Sequence, residues 1–214
     1  MTKKNYTEII GVIDRSGSMS SCWHDTVGGI NEYIKKQREV PGEAKISLVF
    51  FDTEYAMAYN GVDLQDDIFS KPMSFADYSP RGSTALLDAI GKTINTVGNR
   101  LAATPEDERP DKVTMFIVTD GEENASREFT GAQIKEMITH QTDKYQWDFV
   151  YLGANQDAFA VGMTLGVNPH SCTTYDTKCS AQAFAAVGIR SRSYRTDANI
   201  APISETYQSL VDNE

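Results

Sequence analysis

Four short apolar runs, each ending in a polar loop, constrain the fold of this chain more than any other feature. They are residues 6–14 (YTEIIGVID), 44–52 (AKISLVFFD), 112–120 (KVTMFIVTD) and 147–153 (WDFVYLG). Short runs rich in β-branched and aromatic residues, bounded by Gly, Asp or Pro, form strands. Helical stripes lie between them. Val27, Ile30 and Ile34 share one helix face, Leu86, Ile90, Ile94, Val97 and Leu101 a second, and Ile134, Met137 and Ile138 a third. Thr130 followed by Gln133 fits a capping box at the start of that third helix. Strands alternating with helices, with apolar strands throughout, predict an α/β fold: a doubly wound, mostly parallel sheet with helices on both faces.

One strand should run the other way. Residues 54–61 (EYAMAYNG) follow the 44–52 run almost without a gap, and a parallel return needs a crossover of about a dozen residues. They are therefore expected to form an antiparallel edge strand. Residues 61–82 read as an irregular connector, 155–166 as a helix, 171–176 as a short edge strand and 178–194 as a closing helix. The segment after Arg195 is polar. The expected organisation is a single domain over 1–195 with a loosely packed tail over 196–214. A chain of 214 residues buries roughly 70% of its unfolded surface, enough for a core without staples.

Composition removes several functions. Thirty acidic residues against 20 basic ones give a net charge of −10, which argues against a nucleic-acid partner, since binding phosphate backbones takes clustered Lys and Arg. Cys22, Cys172 and Cys179 are few, odd in number and widely spaced, unlike a disulfide framework. The first residues, MTKKNYTEII, lack the apolar stretch of a signal peptide. No apolar run reaches 18 residues, so no membrane partner or span is expected. The expected location is cytoplasmic.

In doubly wound sheets, ligands bind beyond the carboxyl ends of the strands, near the point where strand order reverses. Asp14 and Asp120 both stand at such ends. Asp14 opens the stretch DRSGS, which places Ser16 and Ser18 two apart with Gly17 between them. A second loop, SPRGSTALLDAI, brings Thr84 to the start of a helix, and a third, TDGEEN, carries Asp120. Pooled, the three loops offer two carboxylates and three hydroxyls. An all-oxygen donor set selects a hard cation, Mg²⁺ or else Mn²⁺ or Ca²⁺, over zinc or copper.

Asp-x-Ser-x-Ser after the first strand, Gly-Ser-Thr before a helix and Thr-Asp-Gly after a later strand resemble the von Willebrand factor A domain. The resemblance covers roughly residues 6–190, and the stretch from DRSGSMSS to INEYIKKQ is most similar to compact, stand-alone bacterial and phage members. It implies a mostly parallel sheet with one antiparallel edge strand, and a metal-ion-dependent adhesion site (MIDAS) built from the three loops. Ser16 and Ser18 would then coordinate the ion through their hydroxyls, with Thr84 binding directly or through water. Asp14 and Asp120 would hold coordinated waters and hydroxyls, one of them a candidate for direct binding. The implied function is a protein-interaction module whose partner adds an Asp or Glu to the ion's open position.

Other residues carry competing readings. Arg15 and Arg81 are either solvated loop residues or attractors of an anionic partner. Glu122 and Glu123 suit helix starts better than metal binding. His170, Cys172 and Cys179 could be imagined on zinc, but three candidates at non-standard spacing fit a structural role better. Trp23 and His24 either pack or rim the site. The enzymatic alternative is a metal-dependent phosphoryl or ester hydrolase. Ser16 stands where phosphatases that form an aspartyl-phosphate carry a second acid, and Gly-x-Ser-x-Gly, the P-loop and the dinucleotide fingerprint are all absent.

Overall fold

A computed structural model describes every residue except 75, 155, 156 and 214, and every side chain of the others except those of 77 and 179. Among the described residues six strands form one sheet: β1 (Lys3–Asp14), β2 (Glu43–Phe51), β3 (Tyr55–Asp63), β4 (Pro110–Thr119), β5 (Asp148–Ala154) and β6 (Cys172–Tyr175). Their order is β3-β2-β1-β4-β5-β6. Every neighbouring pair is parallel except β2 with β3, which is antiparallel as expected from the short link between them. Strand order reverses between β1 and β4.

The helices are α1 (Trp23–Arg38), α2 (Leu86–Ala103), α3 (Gly131–Tyr145), α4 (Ala158–Thr164), α5 (Ser180–Arg195) and α6 (Ile203–Val211). They cover both faces, and β1 shows how. Ile9 and Ile13 point into a core shared with Ile30 and Tyr33 of α1 and Phe184 and Val187 of α5. Ile10 and Val12 point the other way, onto Ile90, Ile94 and Val97 of α2 and Ile134 and Ile138 of α3. That is the two-residue period of a strand buried on both sides. Each such side chain contributes about 2 kcal/mol by leaving water. The capping box at α3 is complete, with Thr130 accepting the Gln133 N–H and Gln133 accepting that of Thr130.

The structure departs from expectation in three places. The tail after Arg195 is not loose throughout: α6 buries Ile203 and Tyr207 in the α1–α5 core, with Leu210 and Val211 packed against them. Tyr207 also accepts the Asp176 N–H through its hydroxyl at 3.1 Å. Ile203, Tyr207 and Leu210 are spaced four and three, a helical stripe hidden in a polar segment. The connector is shorter than expected, because β3 runs to Asp63 and Leu64 and Phe69 are buried. The helix expected over 155–166 is confined to α4, and its first two positions lie outside the described residues.

Candidate metal centre

The loops leaving β1 and β4 diverge at the reversal of strand order and open a crevice between them. Asp14, the last residue of β1, is fully buried. Its two carboxylate oxygens have separate tasks. Oδ2 accepts from Thr119 Oγ1 at 2.6 Å, which fastens β1 to the end of β4, and Oδ1 accepts the Ser16 N–H at 2.6 Å, which turns the first loop back on itself. Ser16 is buried, and its Oγ lies 3.0 Å from Ser18 Oγ. Ser18 Oγ donates to Asp120 Oδ1 at 2.6 Å. Asp14, Ser16, Ser18 and Asp120 are thus one connected chain of hydrogen bonds.

Gly121 locates Thr84. A Cβ at Gly121 would stand 2.9 Å from Thr84 Oγ1 and 3.7 Å from Ser18 Oγ, so the two hydroxyls converge on the one residue beside Asp120 that has no side chain. All five predicted residues are brought together. The helix begins two residues later than expected, at Leu86, and Thr84 precedes it. Thr84 is held by the third loop: its N–H donates to Asn124 Oδ1 at 3.0 Å, and its carbonyl accepts the N–H groups of Asn124 and Ala125.

The same loop caps α2. Glu123 accepts the Leu87 N–H at 3.0 Å and Ser126 the Asp88 N–H at 3.1 Å, which satisfies donors that a helix start leaves free. Asp88 returns the bond, accepting the N–H groups of Arg127, Glu128 and Phe129 at 2.9 Å each. Glu123 is therefore a capping acid, although the helix it caps is α2 rather than the one that follows it. Glu122 is exposed. The sequence carries no motif for Thr119, Asn124 or Asp88 as supports of the site. The nearest signal is the density of Asn, Ser and acids around a helix start.

Burial pushes the Asp14 carboxyl up to about 6, against the hydrogen bonds from Thr119 and Ser16 that favour its charged form; Asp120 nearby adds to the rise. Asp120 is also raised, by burial first, with the Ser18 bond opposing. Among the described residues neither carboxylate forms a salt bridge with Lys or Arg. The arginines of the loops are engaged elsewhere. Arg15 is not solvated: it is buried, with Nε 3.3 Å from Asp52 Oδ2 and its guanidinium 5.7 Å from the centre of the Tyr78 ring. Arg81 pairs with Asp52 at 2.9 Å and with Glu54.

Two carboxylates that pair with no Lys or Arg among the described residues, beside three neutral hydroxyls, form a donor set that fits a hard divalent ion. No three His, Cys, Asp or Glu side chains gather as ligands among the described residues, so hydroxyls have to complete any shell. His170 is exposed, Cys172 is buried in the α2–α3 core against Gly162, and the Cys179 side chain lies outside the described residues. Trp23 packs edge-on against Phe50 with ring centres 5.8 Å apart, while His24 is exposed.

No protein-family model matches the sequence, and no curated protein matches it. Solved structures do. Proximal thread matrix protein 1 from the mussel byssus, with a zinc-occupied MIDAS motif, superposes at a TM-score of 0.65 and 15% identity, over 87% of this chain and 46% of that one. A von Willebrand factor type A structure from Catenulispora acidiphila gives 0.62 at 14% identity, over 89% and 43%. Manganese-loaded TRAP protein of Plasmodium vivax gives 0.57 at 14%, over 86% and 74%. The chain spans less than half the length of the first two. At these identities the likeness is one of architecture, and the chain has the von Willebrand factor type A fold.

Proposed function

We propose that this chain is a divalent-cation-dependent protein-interaction module, with Mg²⁺ as the ion and a partner's Asp or Glu as its last ligand. The observation that carries the proposal is the convergence of Ser16, Ser18 and Thr84 with Asp14 and Asp120 at the reversal of strand order. Ser16, Ser18 and Thr84 would supply hydroxyl oxygens, and Asp14 and Asp120 would accept the protons of those hydroxyls and of bound water. A cation held mainly by neutral oxygens keeps much of its charge, and that charge is what it would supply for binding a carboxylate. The zinc in the mussel protein's MIDAS motif and the manganese in the Plasmodium protein support a cation in this fold.

The partners of the hydroxyls support binding over nucleophilic attack. Ser16 and Ser18 have each other and Asp120 as partners, and among the described residues no imidazole bonds to either oxygen. We place the module in the cytoplasm, a setting that the free, buried Cys22 and Cys172 suit. Among the described residues no helix is long and apolar enough to cross a membrane. Affinity capture from host lysate in Mg²⁺ and in EDTA tests the proposal: proteins retained only with Mg²⁺ are expected. Identical captures, or turnover of a phosphate ester with Mg²⁺, would count against it.

A further inference from the structure

We propose that Asp52 is a positioning residue that sets the first and second loops of the cation site against each other; this rests on the cation-binding reading above. Asp52 follows β2, on the side of β1 opposite β4, and is fully buried. Among the described residues its carboxylate forms no hydrogen bond or ion pair with any of the five candidate ligands. Its bonds go to their neighbours in sequence. Oδ2 lies 3.3 Å from Nε of Arg15, the residue before Ser16, and 2.9 Å from Nε of Arg81, in the loop that leads to Thr84. Its main-chain carbonyl accepts the N–H of Ala85, the residue after Thr84, at 3.1 Å.

Asp52 is itself held firmly. Oδ1 accepts the Glu54 N–H at 2.5 Å, so the carboxylate has little freedom to follow a displaced arginine. Gly82 presses against it from the second loop. Gly82 has φ +65°, and a Cβ there would lie 2.9 Å from Thr53 Oγ1 and 3.7 Å from Asp52 Cβ and Cγ. The first and second loops also bond directly, Gly17 N–H to the Gly82 carbonyl at 3.2 Å and Arg81 N–H to the Arg15 carbonyl at 2.9 Å. Both bonds lie at or beside the two arginines that Asp52 contacts, and the Arg15 N–H also donates to the Phe51 carbonyl at 2.7 Å.

The weak point is Arg15. Its Nε is buried and finds no hydrogen-bond partner, so the Asp52 contact holds it by charge rather than by a directed bond. Without the Asp52 charge a buried guanidinium loses its counter-ion, and it relaxes toward water. The segment that moves with it is the one that carries Ser16 and Ser18. Changing groups that orient metal ligands without touching the metal commonly costs roughly 10–100-fold in affinity.

Mn²⁺ binding followed by electron paramagnetic resonance of the free ion tests this on the full chain. Asp52→Ala is expected to weaken Mn²⁺ at least roughly tenfold. Asp52→Asn should weaken it as well, because its one amide oxygen can replace only one of the two carboxylate oxygens: if it accepts the Glu54 N–H, the NH2 faces Arg15 and Arg81 and the charge is gone. Val97→Ala, a core change on α2 far from the loops, should bind as wild type does, which separates positioning from loss of stability. Equal affinity in Asp52→Ala and wild type, or an equal loss in Val97→Ala, overturns the role. Should Asp52→Ala fail to fold, the half-exposed Arg81→Gln carries the test: a severalfold loss is expected, and unchanged affinity overturns the role. If wild type takes up no Mn²⁺, the cation site itself is refuted and Asp52 positions nothing.

Discussion

Ser18 and Asp120 lie 102 positions apart in the chain and are joined by a hydrogen bond of 2.6 Å across the crevice. The hydroxyl proton points at the carboxylate, so toward Ser16 Oγ, 3.0 Å away, the Ser18 oxygen can only accept. A cation would therefore meet Ser18 with its proton already directed away. Ser18→Ala and Asp120→Asn are each expected to weaken Mn²⁺ roughly 10–100-fold. The double variant should lose less than the product, because both changes remove the same hydrogen bond. Calorimetric titration of the three variants checks this, and strictly multiplicative losses would show that the bond does not couple the two groups.

The protein should fold without its cation. Both faces of the sheet are covered by apolar side chains, and the site sits on loops outside that core. Small zinc domains differ in that folding and binding are one event. Circular dichroism in EDTA should show a cooperative thermal transition. Mg²⁺ at a hundred times Kd should raise stability by about 2.7 kcal/mol. An unfolded chain in EDTA would mean that the cation is structural.

Arg195 should matter to stability and not to the site. It is buried, and its guanidinium donates to the Gln37 carbonyl at 2.6 Å, Gln37 Oε1 at 3.1 Å and the carbonyls of Val40 and Gly42 at 3.2 and 3.3 Å. These close the carboxyl end of α1, where a positive charge also meets the helix dipole favourably. Arg195→Ala removes a donor from each of these acceptors, of which the Gln37 carbonyl keeps the Val40 N–H, and should cost about 3 kcal/mol. Arg195→Lys should recover part of that, since an ammonium cannot spread across the same fork of acceptors. Urea unfolding midpoints measure both, and Mn²⁺ affinity should be unchanged.

The strands, their alternation with helices and the antiparallel edge were legible because each depends on local pattern: apolar runs, stripes and the short link before Tyr55. The convergence of the five candidate residues was legible for a related reason, since their loops leave β1 and β4 or lead into α2, where topology fixes position. Partnerships across the fold were not. Asp52 ends its apolar run as Asp14 and Asp120 end theirs, but nothing local reveals that it faces Arg15 and Arg81. Glu8 interrupts a core strand, and only the folded chain brings Ser47 and Arg100 to it, at 2.8 and 2.6 Å. α6 was missed because Ile203, Tyr207 and Leu210 are few among polar neighbours, and their partners lie on β6 and α5.

Asp88 should make acid stability depend on the cap between α2 and the third loop. Burial alone would raise its pKa, but three backbone N–H donors and nearby Lys92 hold it below the ordinary aspartate value. A depressed folded pKa gives stability that is complete above the unfolded value of about 3.9 and is lost as pH falls through the lower folded value. Asp88→Asn should therefore flatten the stability–pH curve below pH 4 and cost about 1 kcal/mol at neutral pH, as for a lost helix cap. Urea midpoints between pH 3 and 7 decide it; parallel curves for the two proteins would assign the acid sensitivity to another group.

The partner's carboxylate is the most consequential expectation. Three neutral hydroxyls face the crevice. Asp14 is committed to Thr119 and the Ser16 N–H, and Asp120 to Ser18. A hard cation among them keeps a preference for one more anionic oxygen. Binding should vanish in EDTA and return with Mg²⁺ or Mn²⁺. It should also fall when one Glu or Asp of the captured partner becomes Gln or Asn, by about 2–5 kcal/mol if the contact is buried. A partner docked on the helix faces instead would bind equally in Mg²⁺ and EDTA. It would also bind Asp14→Ala as well as wild type, and those two results together would refute the carboxylate.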